Sequence, residues 1–134
     1  MDKTETKNKK RILVVDDEAS ITRLLKLNLE QTEDYVVRTE NAAQAALAAA
    51  LEFRPDLILL DVAMPGMDGG EVARRIQAAS KLNNIPIIFL TALATKDEVK
   101  NRNGLIGGMP FLAKPVNMHE VLGCLERHLG APGA

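Results

Sequence analysis

The sequence predicts an α/β fold built on a doubly wound parallel sheet, and three observations carry that reading. Five short apolar runs alternate with stretches of helical periodicity along the chain. Strand and helix alternating in this way give a parallel sheet covered by helices on both faces. The third and fifth runs show little polar alternation, as strands buried on both sides do. Hydrophobic residues make up 46% of the chain but aromatics only 3%, so the predicted core is aliphatic.

The first strand is "RILVV" (11–15) and the first helix covers 19–31, where Ile21, Leu24, Leu25 and Leu29 fall on one face. "YVVRT" (35–39) is the second strand, and Thr39, Glu40 and Asn41 after it read as an ordinary turn and helix cap. The second helix, 41–53, contains the alanine-rich "AAQAALAAAL" (42–51), which has high helix propensity and room for close packing. "DLILL" (56–60) is the third strand, and Pro65, Gly66 and Gly69 then turn the chain. A helix over 68–80 opens with Asp68 and Glu71 as first-turn acids. "IPIIFL" (85–90) precedes a weak helix, 95–106, interrupted by Asn101, Asn103 and Gly104. "MPFLA" (109–113) and a helix over 117–129, with Cys124 in its apolar pattern, complete the series.

The 134 residues suffice for one domain with a real core. The expected division is a disordered polar tail at 1–10, the domain at 11–129 and a tail or linker remnant at 130–134. Net charge is −1, which gives no reason to expect a polyanion partner. The single cysteine excludes a disulfide framework and fits a reducing compartment. No apolar run approaches the ~18 residues of a membrane span and no signal-peptide core is present, so the expected location is the cytoplasm, away from membranes. His119 and His128 are nine positions apart with no ligand set around them, which argues against a metal role.

The carboxyl ends of the strands are where such sheets bind ligands. Strand 1 delivers Asp16, Asp17 and Glu18; strand 3, Asp61; strand 4, Thr91; strand 5, Lys114 and then Pro115. Two carboxylates about 4 Å apart repel by roughly 4 kcal/mol at an effective dielectric of 20. Asp16, Asp17 and Asp61 brought together therefore need compensation. Lys114 supplies part, and a hard divalent cation such as Mg²⁺, which favours carboxylate and water oxygens, supplies more. Asp61 can then attack phosphorus to form an aspartyl phosphate, with Lys114 pairing the phosphate and the Thr91 hydroxyl donating to it.

The motifs "VVDDE" (14–18), "DVAMPGMDG" (61–69), "TA" (91–92) and "KP" (114–115), in this order, resemble the response-regulator receiver domain of two-component signalling. The resemblance spans about residues 10–129. It implies a flavodoxin-like five-stranded sheet of order 2-1-3-4-5 with five helices. It also implies Asp61 as phosphoacceptor, Asp16 and Asp17 as the metal-binding pair, and the backbone carbonyl of Ala63 as a further Mg²⁺ ligand. Thr91 and Lys114 become the switch hydroxyl and the phosphate-pairing lysine, Lys114–Pro115 a cis bond, and Phe111 the counterpart of a mobile aromatic. The implied donor is a histidine kinase or phosphotransfer protein. Output would pass to a partner protein or a second copy through the face of helix 4, strand 5 and helix 5, with no direct nucleic-acid binding. Such a protein is a signalling switch rather than an enzyme acting on other substrates.

The chain departs from the family pattern in two places. "GGMPFLAKPV" (107–116) has Met109 and Pro110 where members often carry two acids, which bears on partner choice. Ala63 and Leu93, two positions past Asp61 and Thr91, offer no side-chain hydrogen bond to a water. An aspartate-nucleophile phosphatase is the competing enzyme reading, but it wants an acid two residues after the nucleophile, where Ala63 stands. A pseudo-receiver that binds partners without phosphorylation usually lacks one of the acids or the lysine, and all are present here.

Overall fold

The computed structural model describes residues 9–66, 69–92, 105–106 and 109–130. Its elements are β1 (Lys10–Val15), α1 (Ala19–Gln31), β2 (Tyr35–Glu40), a 3₁₀ turn (Ala43–Ala45) leading into α2 (Ala46–Phe53), β3 (Leu57–Asp61) and α3 (Gly69–Ala78). They continue with β4 (Ile87–Thr91), β5 (Leu105–Ile106), β6 (Met109–Ala113) and α4 (Met118–Leu129). The sheet order is β2-β1-β3-β4-β6-β5. The first five strands in that order are parallel, which is the expected 2-1-3-4-5 winding. The chain reverses its winding direction between β1 and β3, which lie side by side.

The sixth strand departs from expectation. Leu105 and Ile106 pair antiparallel with Pro110 and Met109, where a helix over 95–106 was expected to end. The rest of that expected helix, 95–104, lies outside the described residues, which contain four α-helices. β1 begins at Lys10, paired with Tyr35, so this lysine belongs to the sheet and not to the tail.

The strands alternate between two cores. Ile12 and Val14, with Leu57 and Leu59, pack beneath α1 and α4 against Leu25, Leu29, Val121 and Leu125. Leu13 and Val15, with Ile58 and Leu60, pack against Ala46, Ala49, Ala50, Val72 and Ile76 of α2 and α3. Every residue of β3 is buried, as the lack of polar alternation in "DLILL" requires. The small alanines bring α2 close to the sheet. β6 is less enclosed than expected: Phe111 and Leu112 are buried, but Pro110 and Ala113 are only half-buried, because β6 is one of the two end strands of the parallel set.

The opposite edge, β2, is partly covered by α1. The Val37 amide donates to Glu30 Oε2 at 3.0 Å, and the Val37 carbonyl accepts from Lys26 Nζ at 2.7 Å. Lys26 and Glu30 are themselves paired one turn apart on the helix, at 3.2 Å.

Candidate functional site

Register alone assembles the site. Val15 pairs with Leu60, so the next residues, Asp16 and Asp61, emerge side by side at the centre of the sheet. Asp61 pairs with Leu90 and Thr91 with Ala113, so Thr91 and Lys114 follow along the same edge. The Lys114 amide extends this ladder by donating to the Thr91 carbonyl at 2.7 Å. The structure therefore brings together Asp16, Asp17, Asp61, Thr91 and Lys114. The Lys114–Pro115 bond is cis.

Asp16, Asp61 and Thr91 are buried polar side chains, whereas Asp17 is exposed. One carboxylate oxygen from each of Asp16, Asp17 and Asp61 lies within 4.8 Å of the others. Lys114 Nζ stands 2.8 Å from Asp16 Oδ2, 3.3 Å from Asp61 Oδ1 and 3.4 Å from Glu18 Oε1. Asp16 Oδ2 is paired with the Lys114 ammonium, while Asp16 Oδ1 accepts from the Glu18 amide at 2.9 Å. Burial and then the Asp16 charge raise the Asp61 carboxyl above the ordinary aspartate range, against the opposing pull of Lys114. Burial alone would lower the Lys114 ammonium, but Asp16 and Asp61 more than reverse that, and its pKa is raised.

One lysine thus faces more negative charge than it carries. Three carboxylates on one edge, faced by a single lysine, form a donor set suited to a hard, oxygen-seeking divalent cation. Ala63 is exposed, and its backbone amide donates to the Asp61 carboxylate. Leu93 lies outside the described residues.

The turn after Asp61 is more constrained than its composition suggests. Gly66 has φ of +83°, a conformation that glycine adopts without strain. Gly69 serves a different purpose. A Cβ there would lie 2.8 Å from Val62 Cα and closer still to the Asp61 carbonyl, and the Gly69 amide donates to the Val62 carbonyl at 2.7 Å. The start of α3 is therefore pressed against the backbone of Asp61. Of the two expected first-turn acids, Glu71 is in place and pairs with Arg74 and Arg75; Asp68 lies outside the described residues.

Two residues do more at the site than the sequence reading gave them. Glu18 carries no strand-end pattern that separates it from a surface acid, yet its side chain reaches Lys114. Asn41 is not a helix cap: the 3₁₀ turn is preceded by Ala42 and has no side-chain cap. The Asn41 amide nitrogen instead donates to the Asp16 carbonyl at 2.8 Å and to Thr22 Oγ1 at 3.0 Å. A shallow cleft of about 370 Å³ opens beside Asp17, lined by Asn41, Gln44, Met64, Pro65 and Gly66 among others.

Comparison with known proteins agrees with this geometry. Residues 12–126 match the family model of the response regulator receiver domain. The chain is 44% identical over 124 residues to the transcriptional regulatory protein ResD of Bacillus subtilis, covering 91% of this chain and 48% of ResD. It is 33% identical over 122 residues to the polar-differentiation response regulator DivK of Brucella anthropi, covering 90% of this chain and 97% of DivK. The chain thus spans about half of ResD and nearly all of DivK. Among solved structures, the chemotaxis protein CheY4 of Vibrio cholerae superposes with a TM-score of 0.77 at 32% identity, covering 90% of this chain and 99% of CheY4. The receiver domain of the sensor histidine kinase PA1611 of Pseudomonas aeruginosa, solved with a magnesium ion in its active-site cleft, superposes with a TM-score of 0.73 at 27% identity, covering 92% and 99%. By sequence, by sheet order and by the carboxylates at the sheet's edge, this chain belongs to the response regulator receiver domain family.

Proposed function

We propose that this chain accepts a phosphoryl group on Asp61 and signals by the change that follows. The observation that carries this reading is the meeting of Asp16, Asp61 and Lys114 at 2.8 and 3.3 Å, at one sheet edge beside Asp17. A carboxylate oxygen of Asp61 attacks phosphorus of a phosphohistidine; the new O–P bond forms as the P–N bond breaks, and the imidazole leaves with that electron pair. Lys114, already in contact with Asp61, pairs with a phosphoryl oxygen, and the Thr91 hydroxyl donates to another. Asp16, Asp17 and the Ala63 carbonyl, with Asp61, are the groups that would hold Mg²⁺. When bound, the cation neutralises charge on the transferring group. The phosphodonor is a histidine kinase or phosphotransfer protein, and the output is a change in partner binding on the side of β6 and α4.

The test is incubation with Mg²⁺ and acetyl phosphate, followed by intact-mass spectrometry. Wild type should gain one phosphoryl group and Asp61→Asn none. Modification that persists in Asp61→Asn would place the acceptor elsewhere, and an unmodified wild type would favour a pseudo-receiver.

A further inference from the structure

The two acids that follow β1 are adjacent in sequence, so a single peptide unit joins them. The carbonyl of Asp16 and the amide of Asp17 belong to one rigid plane. Whatever holds that plane sets how the two side chains diverge.

Asn41 holds it. Asp16 is fully buried, and its amide donates to the Glu40 carbonyl at 3.0 Å, continuing the β1–β2 ladder. Its carbonyl accepts from Asn41 Nδ2 at 2.8 Å, so consecutive residues of β2's end grip both backbone groups of Asp16. The second hydrogen of the same amide goes to Thr22 Oγ1, 2 % exposed, whose hydroxyl donates onward to the Ala19 carbonyl at 3.1 Å. The orientation of the amide is fixed chemically. A carbonyl only accepts, so the nitrogen of Asn41 and not its oxygen must face Asp16. The result is a three-point brace between the end of β1, the end of β2 and the first turn of α1.

Resting on the cation reading above, we infer that Asn41 is a positioning residue for the acid pair. It fixes the Asp16–Asp17 peptide and thereby presets the spacing of two carboxylates toward a divalent cation, without touching the cation. Partners behind the direct ligands of a metal typically govern 10–100-fold in affinity. Asn41 stands at that remove, acting through the main chain where such partners usually act through a side chain.

The experiment is isothermal titration of the whole chain with Mg²⁺, alongside thermal unfolding in EDTA, for wild type, Asn41→Ala, Asn41→Ser, Thr22→Val and Asp17→Asn. Asn41→Ala should weaken Mg²⁺ about tenfold or more. Asn41→Ser, too short to span both acceptors, should change it in the same direction and serves if the alanine variant does not fold. Thr22→Val leaves the Asn41–Asp16 bond possible while losing the anchor on α1. It should lower the melting temperature yet hold Mg²⁺ affinity near wild type. In ¹⁵N-resolved spectra, the Asp17 amide should shift in the Asn41 variants more than in Thr22→Val. Mg²⁺ affinity that follows melting temperature alike in all these variants would overturn the inference and leave Asn41 merely structural. If Asp17→Asn binds Mg²⁺ as wild type does, the cation reading falls and this inference with it. If Asp17→Asn loses binding while both Asn41 variants keep it, only the positioning role is overturned.

Discussion

Lys114 Nζ lies between the carboxylates of Asp16 and Asp61, 2.8 Å from one and 3.3 Å from the other. Its long side chain, 10% exposed, thus reaches acids that end two different strands, β1 and β3. Breaking a buried ion pair by removing one partner typically costs about 3–5 kcal/mol, because the other charge is left uncompensated. Lys114→Met should therefore lower the melting temperature in EDTA, and added Mg²⁺ should recover more stability in the variant than in wild type. Equal recovery in both proteins, measured by thermal unfolding, would show that lysine and cation do not compensate the same charges.

Asp61→Asn tests the opposite side of the balance. Burial and the Asp16 charge disfavour the ionised Asp61 carboxylate, so neutralising it should raise the metal-free melting temperature although it removes the proposed reactive group. Mg²⁺ should stabilise wild type by about 2.7 kcal/mol at a hundredfold excess over its dissociation constant, and the variant by less. A clearly lower melting temperature for Asp61→Asn in EDTA would contradict the crowding of these acids.

Gly69→Ala should be the more damaging of two glycine substitutions near the site. Its Cβ would press on the backbone of Asp61 and Val62, an overpacking of about 1–3 kcal/mol, and α3 would shift. At Gly66 the new Cβ meets only the tip of the Gln44 side chain, at 2.7 Å, and the left-handed backbone adds about 1 kcal/mol. Denaturant melts should order the variants wild type, Gly66→Ala, Gly69→Ala in falling stability. The reverse order of the two variants would mean that the start of α3 yields easily.

The phosphoryl lifetime should be set partly by Ala63. Its side chain offers nothing to orient a water, so Ala63→Asn should shorten the half-life of phosphorylated protein. The measurement is the decay of the phosphorylated mass after removal of donor, and an unchanged or longer half-life would remove Ala63 from the account.

Cys124 should behave as an inert thiol. Burial raises its pKa above the ordinary value, against a weaker lowering by Arg127. The unfolded chain therefore loses this proton first as pH rises. The resulting contribution to stability is complete below the ordinary thiol pKa of about 8.5 and is lost progressively above it. A thiol reagent at pH 8 should react at the rate of unfolding; fast labelling of the folded protein would show that α4 opens locally.

Much of this was legible in the sequence because period and position carried it. Helix 19–31 and strand 109–113 have the predicted bounds, and Asp16, Asp61, Thr91 and Lys114 converge because parallel strands in register must end together. What was illegible depended on side chains reaching across the chain. Asn41 looks like a cap because caps and long-range braces use the same amide; only the placement of β1 beside β2 decides between them. Gly69 looked like a turn residue because closeness to another strand's backbone leaves no local sequence mark. The two residues of β5 were absorbed into a helical stretch because two positions are too few to show a period of two.

The grip of Lys26 and Glu30 on Val37 has a consequence for how this molecule meets others. Both main-chain groups of Val37 are satisfied by side chains of its own α1. An extended peptide arriving at this edge would have to displace an ion pair before it could add a rung, and a second copy would face the same obstacle. Recruitment by strand addition is thus closed at the middle of β2, and crowding the protein to high concentration should not seed a continuous intermolecular sheet from this side. On this side of the molecule, contact would fall to the helical face of α1 and not to the strand edge at Val37.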